Sequence, residues 1–267
     1  MKSIFSRLAF AILAVFICIY IVGCTRFTQA VYPEDTIVFV NGKAITEQDF
    51  KDETIKREIS TKMLPKIMQL DSSAQTPTAG TLKILGLSAD QLSEDQKRYI
   101  TSIERNYPDK PINQNAIFNH LVRQEVLHQE AVNQSYIVSN EEAQETLKQA
   151  NEASEQASEF DSTGQKFMEE YNKVLKDNGF NSQDDYLNWN LPKTTRLMAI
   201  QRMQNKFDEK MAAQYSELSD FPLRIAQYNA WEDYTEFLLK TANIEIKKGN
   251  YVLEYYGKPW ELGSLDL

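Results

Sequence analysis

Asn113-Gln114-Asn115-Ala116-Ile117-Phe118-Asn119-His120-Leu121-Val122-Arg123-Gln124-Glu125-Val126-Leu127-His128-Gln129-Glu130-Ala131 is followed by Val132-Asn133-Gln134-Ser135-Tyr136-Ile137-Val138-Ser139-Asn140-Glu141-Glu142-Ala143, and this stretch decides the fold. No breaker interrupts residues 116–132, so they form one helix with Asn113 or Asn115 as its cap. At about 100° per residue, Ile117, Phe118, Leu121, Val122, Val126, Leu127 and Ala131 cover most of the circumference, while Asn119, Arg123 and Glu130 share one arc. A helix this apolar must be wrapped by others and is expected to be wet only along that arc. Ser139, with Glu142 three positions on, reads as a capping box that opens a second helix. The short connection 135–138 implies that the second helix turns back on the first.

Working outward, composition sets the class. A chain of 267 residues, 42% hydrophobic, has enough apolar side chains for a substantial core. Asp and Glu number 38 against 29 Lys and Arg, a formal charge of -9. With no basic cluster, nucleic acid is an unsuitable partner, because phosphate binding needs clustered cations. Cys18 and Cys24 both precede residue 25, so the rest of the chain has no thiol for a disulfide, a zinc site or a nucleophile.

The N-terminus reads as an export signal. Lys2 and Arg7 flank the start, and residues 8–22 are an uncharged apolar run, shorter than the ~20 residues of a spanning helix. The run ends in Ile21-Val22-Gly23-Cys24, which resembles a bacterial lipobox, in which the cysteine is lipidated before cleavage. On that reading residues 1–23 are a signal peptide, Cys24 carries the lipid anchor, and residues 24–35 are a tether to the bacterial cell membrane. An uncleaved membrane anchor and ordinary signal cleavage are the other readings of the same residues.

Next, Thr36-Ile37-Val38-Phe39-Val40 is a strand, Asn41-Gly42 a turn and Lys43-Ala44-Ile45 a second strand. Thr46 and Asp49 cap a helix over 47–70 that Pro65 should kink or end. An exposed loop over 71–80 and a short apolar return over 82–87 lead to a helix over 89–106, stopped by Pro108 and Pro111. Beyond the central helix come a peripheral helix over 140–158 and a helix over 164–178 ended by Gly179. Ser182 and Asp185 then open a helix to 214 with Pro192 as a kink, and Ser219 and Pro222 start a last helix to 242. Residues 243–247 alternate like a strand, 248–250 turn, and 251–256 are expected to pair back as a hairpin strand before a tail to 267. The fold class is mainly α: a helical bundle with a small β hairpin or sheet joining N- and C-terminal strands.

Few residues suggest chemistry. His120 and His128 lie eight positions apart on one helix, poor geometry for a shared site, and read as packing. Glu125 falls inside the apolar arc, where an acid has a raised pKa or pairs with an Arg or Lys. Glu141, Glu142, Glu169 and Glu170 read as solvated. The aromatics Tyr186, Trp189, Trp231, Tyr234 and Phe237, with Met198, Met203 and Met211 nearby, read either as core or as an adaptable polypeptide-binding surface. Tyr234 and Phe237 fall off the main face of the last helix, set by Ile225, Tyr228, Trp231, Leu238, Leu239 and Ala242. They are the expected second, client-facing surface.

A resemblance joins these pieces. Val38-x-Val40-Asn41-Gly42-x-x-Ile45-Thr46-x-x-Asp49-Phe50 resembles the opening of the SurA and PrsA family of extracytoplasmic chaperones. Ile117, Phe118, Leu121, Val122, Leu127, Gln129, Glu130 and Ala131, then Ile137-Val138-Ser139-x-Glu141-Glu142, are similar to that family's long central helix and the capped helix after it. Phe167, Gly179, Ser182 and Tyr186 are similar to its next helical pair, and residues 242–246 to its closing strand. The resemblance covers 36–247 in scattered pieces and implies a SurA-like chaperone domain. Family members often carry a parvulin prolyl isomerase domain, but too few residues separate Lys206 from Phe221 to hold one, and the insertion over 65–111 exceeds the simplest family pattern. The resemblance therefore implies a non-catalytic binder of unfolded or exported polypeptides, without cofactor or metal. A structural or assembly lipoprotein docking one envelope partner, and a relative with residual prolyl isomerase activity, are the alternatives.

Overall fold

The computed structural model describes residues 33–70, 82–83, 86–105, 112–160 and 162–260. Among these residues, three short strands and seven α-helices make a mainly helical fold with one small antiparallel sheet. β1 (Thr36–Val40) and β2 (Lys43–Thr46) form the hairpin, with Asn41 and Gly42 at φ 50° and 82°, the left-handed conformations a two-residue turn demands. β3 (Ile244–Ile246) pairs antiparallel with β1, Val38 opposite Ile246 and Val40 opposite Ile244, so β1 is central. All five of its residues are buried, the outcome expected of an uninterrupted apolar strand.

Thr46 opens α1 (Glu47–Leu70) with a closed capping box: its hydroxyl accepts from the Asp49 amide at 3.3 Å, and the Asp49 carboxylate accepts from the Thr46 amide at 2.7 Å. The helix does not end at Pro65 but runs on to Leu70. The expected helix over 89–106 is divided into a 3-10 turn, Ala89–Gln91, and α2 (Glu94–Arg105). A second box causes the break: the Gln96 amide donates to the Ser93 hydroxyl at 3.3 Å and the Ser93 amide to the Gln96 side chain at 2.8 Å.

The central helix is α3 (Gln114–Asn133), with the Asn113 side chain accepting from the Asn115 amide. Ser139 accepts from the Glu142 amide at 3.2 Å and opens α4 (Asn140–Phe160), while the Glu142 carboxylate pairs with Arg202. The short connection implied that α4 turns back on α3, but α4 does not pack along it. It packs on α5 (Ser162–Asp177) and on α6 (Gln183–Gln214), because the apolar residues that wrap α3 come instead from the sheet, α1, α6 and α7 (Asp220–Thr241). Gly179 takes φ 90° after α5, and Ser182 caps α6 by accepting from the Asp185 amide.

The main core joins β1, α3, α6 and α7 around Phe118, Val122, Met203, Phe207, Trp231 and Tyr234. A second cluster, Ile59, Met63, Val174 and Leu175, ties α1 to α5, and a third, Tyr99, Ile100 and Ile225, ties α2 to α7.

Residues 251–256 make no strand pairing. They run as an extended strap over the polar arc of α3, which is consequently covered rather than wet. Asn119 is only 3% exposed, hydrogen bonded to the Val252 carbonyl and the Glu254 amide. Arg123 pairs with Glu232 at 3.2 Å, and Glu130 accepts from the Tyr234 hydroxyl at 2.9 Å. The expected hairpin strand fails for a physical reason: Tyr251 stacks on Phe118, centroids 4.9 Å apart and planes 5° from parallel, which carries the chain away from the sheet.

Candidate functional site

The helical layer formed by α1, α4, α5 and α6 is open at the surface. Its groove encloses about 430 Å³. Ile59 and Met63 of α1 form a buried floor, Phe167, Met168 and Tyr171 of α5 one wall, and Tyr186 and Leu187 of α6 the other, with Leu147 of α4 at the rim. The seating follows from helix geometry: Ile59 and Met63, and Phe167 and Tyr171, lie four apart and so share a face on their helices.

None of the residues lining this groove is ionisable at neutral pH. Burial raises the Tyr171 phenol to about 12 and raises Tyr186 as well, so both stay uncharged. Tyr186 meets Tyr171 edge-on at 6.5 Å and Phe180 edge-on at 5.2 Å. Besides the phenols, the polar side chains among them are Ser60, Asn151 and Gln183; the Gln183 amide donates to Asn172 at 2.8 Å, while its Oε1 is buried without a hydrogen-bond partner among the described residues. Leu147, Asn151 and Leu187 continue into a second, more polar cavity of about 360 Å³ along α4 and α6, so the groove is elongated.

The expected client-facing aromatics divide into two sets. Tyr186 lines the groove, and Trp189, half-buried, stacks beside it with the Lys193 ammonium 3.7 Å over its ring. Trp231 and Tyr234 do not form an exposed surface. They are 6% and 0% exposed and pack on Phe207, with ring centroids 5.2 and 5.5 Å away. Phe237 is half-buried against the same core. Tyr234 leaves the main face of α7 because the Glu130 carboxylate and Trp260 receive it there. Cys24, the expected lipidation site, lies outside the described residues, as do residues 71–80, Pro108 and Pro111. The groove residues Ile59, Met63, Phe167 and Tyr171 pair at i, i+4 in the sequence, the one signal there that each pair shares a helix face.

The charged candidates are engaged elsewhere. Glu125, 5% exposed, accepts from Gln129 at 2.9 Å and pairs with Arg196 at 3.4 Å, the pairing alternative for an acid on an apolar arc. His120 borders a cleft of about 260 Å³ with Arg57, Arg105 and Arg123, its Nε2 lying 3.3 Å from Glu53. Burial pushes its imidazole down to about 4 from 6.5, against the opposing pull of Glu53. The unfolded chain therefore takes up a proton below about pH 6.5 that the folded chain refuses until pH approaches 4. Stability should fall as pH drops through that window and return as pH rises. His120→Gln should flatten this slope, read from urea midpoints at several pH values, and an unchanged slope would remove His120 as its source.

Among the described residues no group of three His, Cys, Asp or Glu side chains is placed to hold a metal ion, and no helix is long and apolar enough to cross a membrane. In comparisons with protein-family models, with curated proteins and with solved structures, nothing matches the chain.

Proposed function

We propose that the chain is a lipid-anchored extracytoplasmic protein that holds extended or partly folded polypeptide segments, without catalysis, in the groove between α1, α4, α5 and α6. The observation that carries this reading is the open groove lined by methionine and aromatic side chains, free of charged residues, which continues into a polar cavity bordered by Lys148 and Asp184. Such a surface gains affinity by covering apolar area, and its flexible thioethers adjust to different side chains. The family-like motifs support the same reading, and the Gly23-Cys24 lipobox supports placing the protein at the outer face of a membrane.

The direct test is aggregation of a denatured model client, followed by light scattering, with and without the protein in several-fold excess. Suppression is expected. Met168→Glu places a charge on the groove wall at a half-buried site, and is expected to weaken client holding about tenfold while leaving helical content unchanged. Equal suppression by both proteins would locate client binding elsewhere. Capture of one stoichiometric envelope protein with no effect on any client would favour an assembly lipoprotein instead.

A further inference from the structure

The strap over 251–260 is held as a separate peptide would be held. Asn119 grips its main chain from both sides: Nδ2 donates to the Val252 carbonyl at 2.9 Å, and Oδ1 accepts from the Glu254 amide at 2.7 Å. One turn earlier on α3, Asn115 Oδ1 accepts from the Val252 amide at 2.8 Å. On the α7 side, Glu236 accepts from the amides of Tyr256 and Gly257 at 2.9 and 3.1 Å, and Asp233 from the amide of Lys258 at 2.5 Å. Each of these receptors is a side chain of α3 or α7 that meets strap main chain, and Asn115 Nδ2 in addition donates to the Glu254 carboxylate at 2.6 Å.

The main-chain contacts do not depend on the identity of the bound side chains, as in strand addition to a sheet edge, while the rings of Tyr251 on Phe118 and Trp260 on Tyr234 anchor the two ends. Val252 and Tyr255 point outward, 64% and 51% exposed. Asn119 and Glu236 are 3% and 0% exposed beneath the strap, so the Asn119 amide and one carboxylate oxygen of Glu236 are met by an extended backbone lying over them. The fit is closest at Gly257, where a Cβ would come within 2.6 Å of Glu236 Cβ and 2.9 Å of the Glu232 carbonyl.

From this geometry we infer that the seam between α3 and α7 is a second polypeptide-binding site, specific for extended main chain, and that residues 251–258 are its resident intramolecular ligand, exchangeable for a client strand. The inference rests on the polypeptide-binding reading but names a different recognition chemistry. The apolar groove meets side chains alone, whereas the seam meets backbone N–H and C=O groups at fixed spacing, with an aromatic anchor at each end. Tethered by a short connection from β3, the strap faces its site at an effective concentration on the order of mM, so a free peptide competes poorly. A segment already held in the apolar groove competes on more equal terms.

A fluorescein-labelled peptide copying residues 249–260 tests this with the full chain. Gly257→Val lifts the strap by steric conflict with α7, and the variant is expected to bind the peptide about tenfold more tightly than the parent protein, by fluorescence anisotropy. Adding Asn119→Ala to Gly257→Val should cancel that gain, whereas the same tenfold gain from Gly257→Val should appear in a Met168→Glu background, where any binding to the groove is already weakened. Failure of client holding is thereby separable from failure of the seam. Equal, weak binding by the parent and by a folded Gly257→Val protein would overturn the inference. Should Gly257→Val lose its helical signal, hydrogen exchange in the parent decides. The amides of Val252, Glu254, Tyr256 and Gly257 are expected to exchange roughly a hundredfold faster than those of Val122 and Leu239, through local release of the strap. Exchange at the same rate as those core amides would make the strap a permanent part of the fold and sink the proposal.

Discussion

Tyr234→Ala is expected to lower the unfolding free energy by about 3–5 kcal/mol, the range for truncating a fully buried aromatic ring. The ring is 0% exposed and touches aromatic neighbours on several sides: Phe207 at 5.5 Å, Trp260 at 5.6 Å and Trp231 at 6.1 Å. Three elements share the cavity its removal would leave, because α6 supplies Phe207, α7 supplies Trp231 and the strap supplies Trp260. Collapse of one of them would not fill it. The hydroxyl adds a smaller, separable contribution. It donates to Glu130 at 2.9 Å and accepts from Gln134 at 3.3 Å, and burial raises the phenol's pKa, so it remains a donor. Tyr234→Phe, which keeps the ring, should cost only about 1 kcal/mol. Urea unfolding of the two variants gives both numbers, and similar losses would mean that the hydroxyl, not the packing, dominates.

The second large effect is expected at Glu236, a carboxylate with no exposed surface on α7. Glu236→Ala should destabilise the fold by about 3 kcal/mol, because it strips the acceptor from two strap amides and leaves Arg123, 12% exposed, without its contact at 3.6 Å. Glu236→Gln keeps an acceptor for the amides and should recover more than half of the loss. Arg123 retains Glu232 at 3.2 Å, which limits the damage. If the Ala and Gln variants unfold at the same urea concentration, the charge matters and the strap contacts do not.

The parts of the fold legible in the sequence are those governed by neighbours along the chain. Asn41-Gly42, Thr46 with Asp49, Ser139 with Glu142 and Ser182 with Asp185 all placed turns or helix starts, because a turn or a cap is satisfied within three or four residues. Ile244-Glu245-Ile246 showed its alternation and became the third strand. The strap was illegible for the opposite reason. Its partners are Asn and Glu side chains more than a hundred positions away for α3 and about twenty for α7, and Tyr251-Val252-Leu253-Glu254 imitates a strand by composition. Asn119 and Arg123 read as a wet arc because a polar pattern does not tell water from another part of the chain. The groove fell between the two cases: Phe167 and Tyr171 carried helical spacing, but only tertiary packing shows that the face they share is partly left open.

One consequence of the central position of β1 concerns the order in which the protein can be completed. Asn41 at the hairpin turn is bonded to Asn243, 202 positions later, and β3 closes the sheet against β1 just beyond. A chain delivered N-terminus first therefore presents β1, the most apolar strand, with one edge open until nearly the entire domain has followed. Pairings of such long range are slow to form, since the loop between them must be ordered first. Assembly of this domain should end, rather than begin, with the strand nearest its N-terminus, and until then the unpaired edge of residues 36–40 is the most aggregation-prone surface of the protein itself.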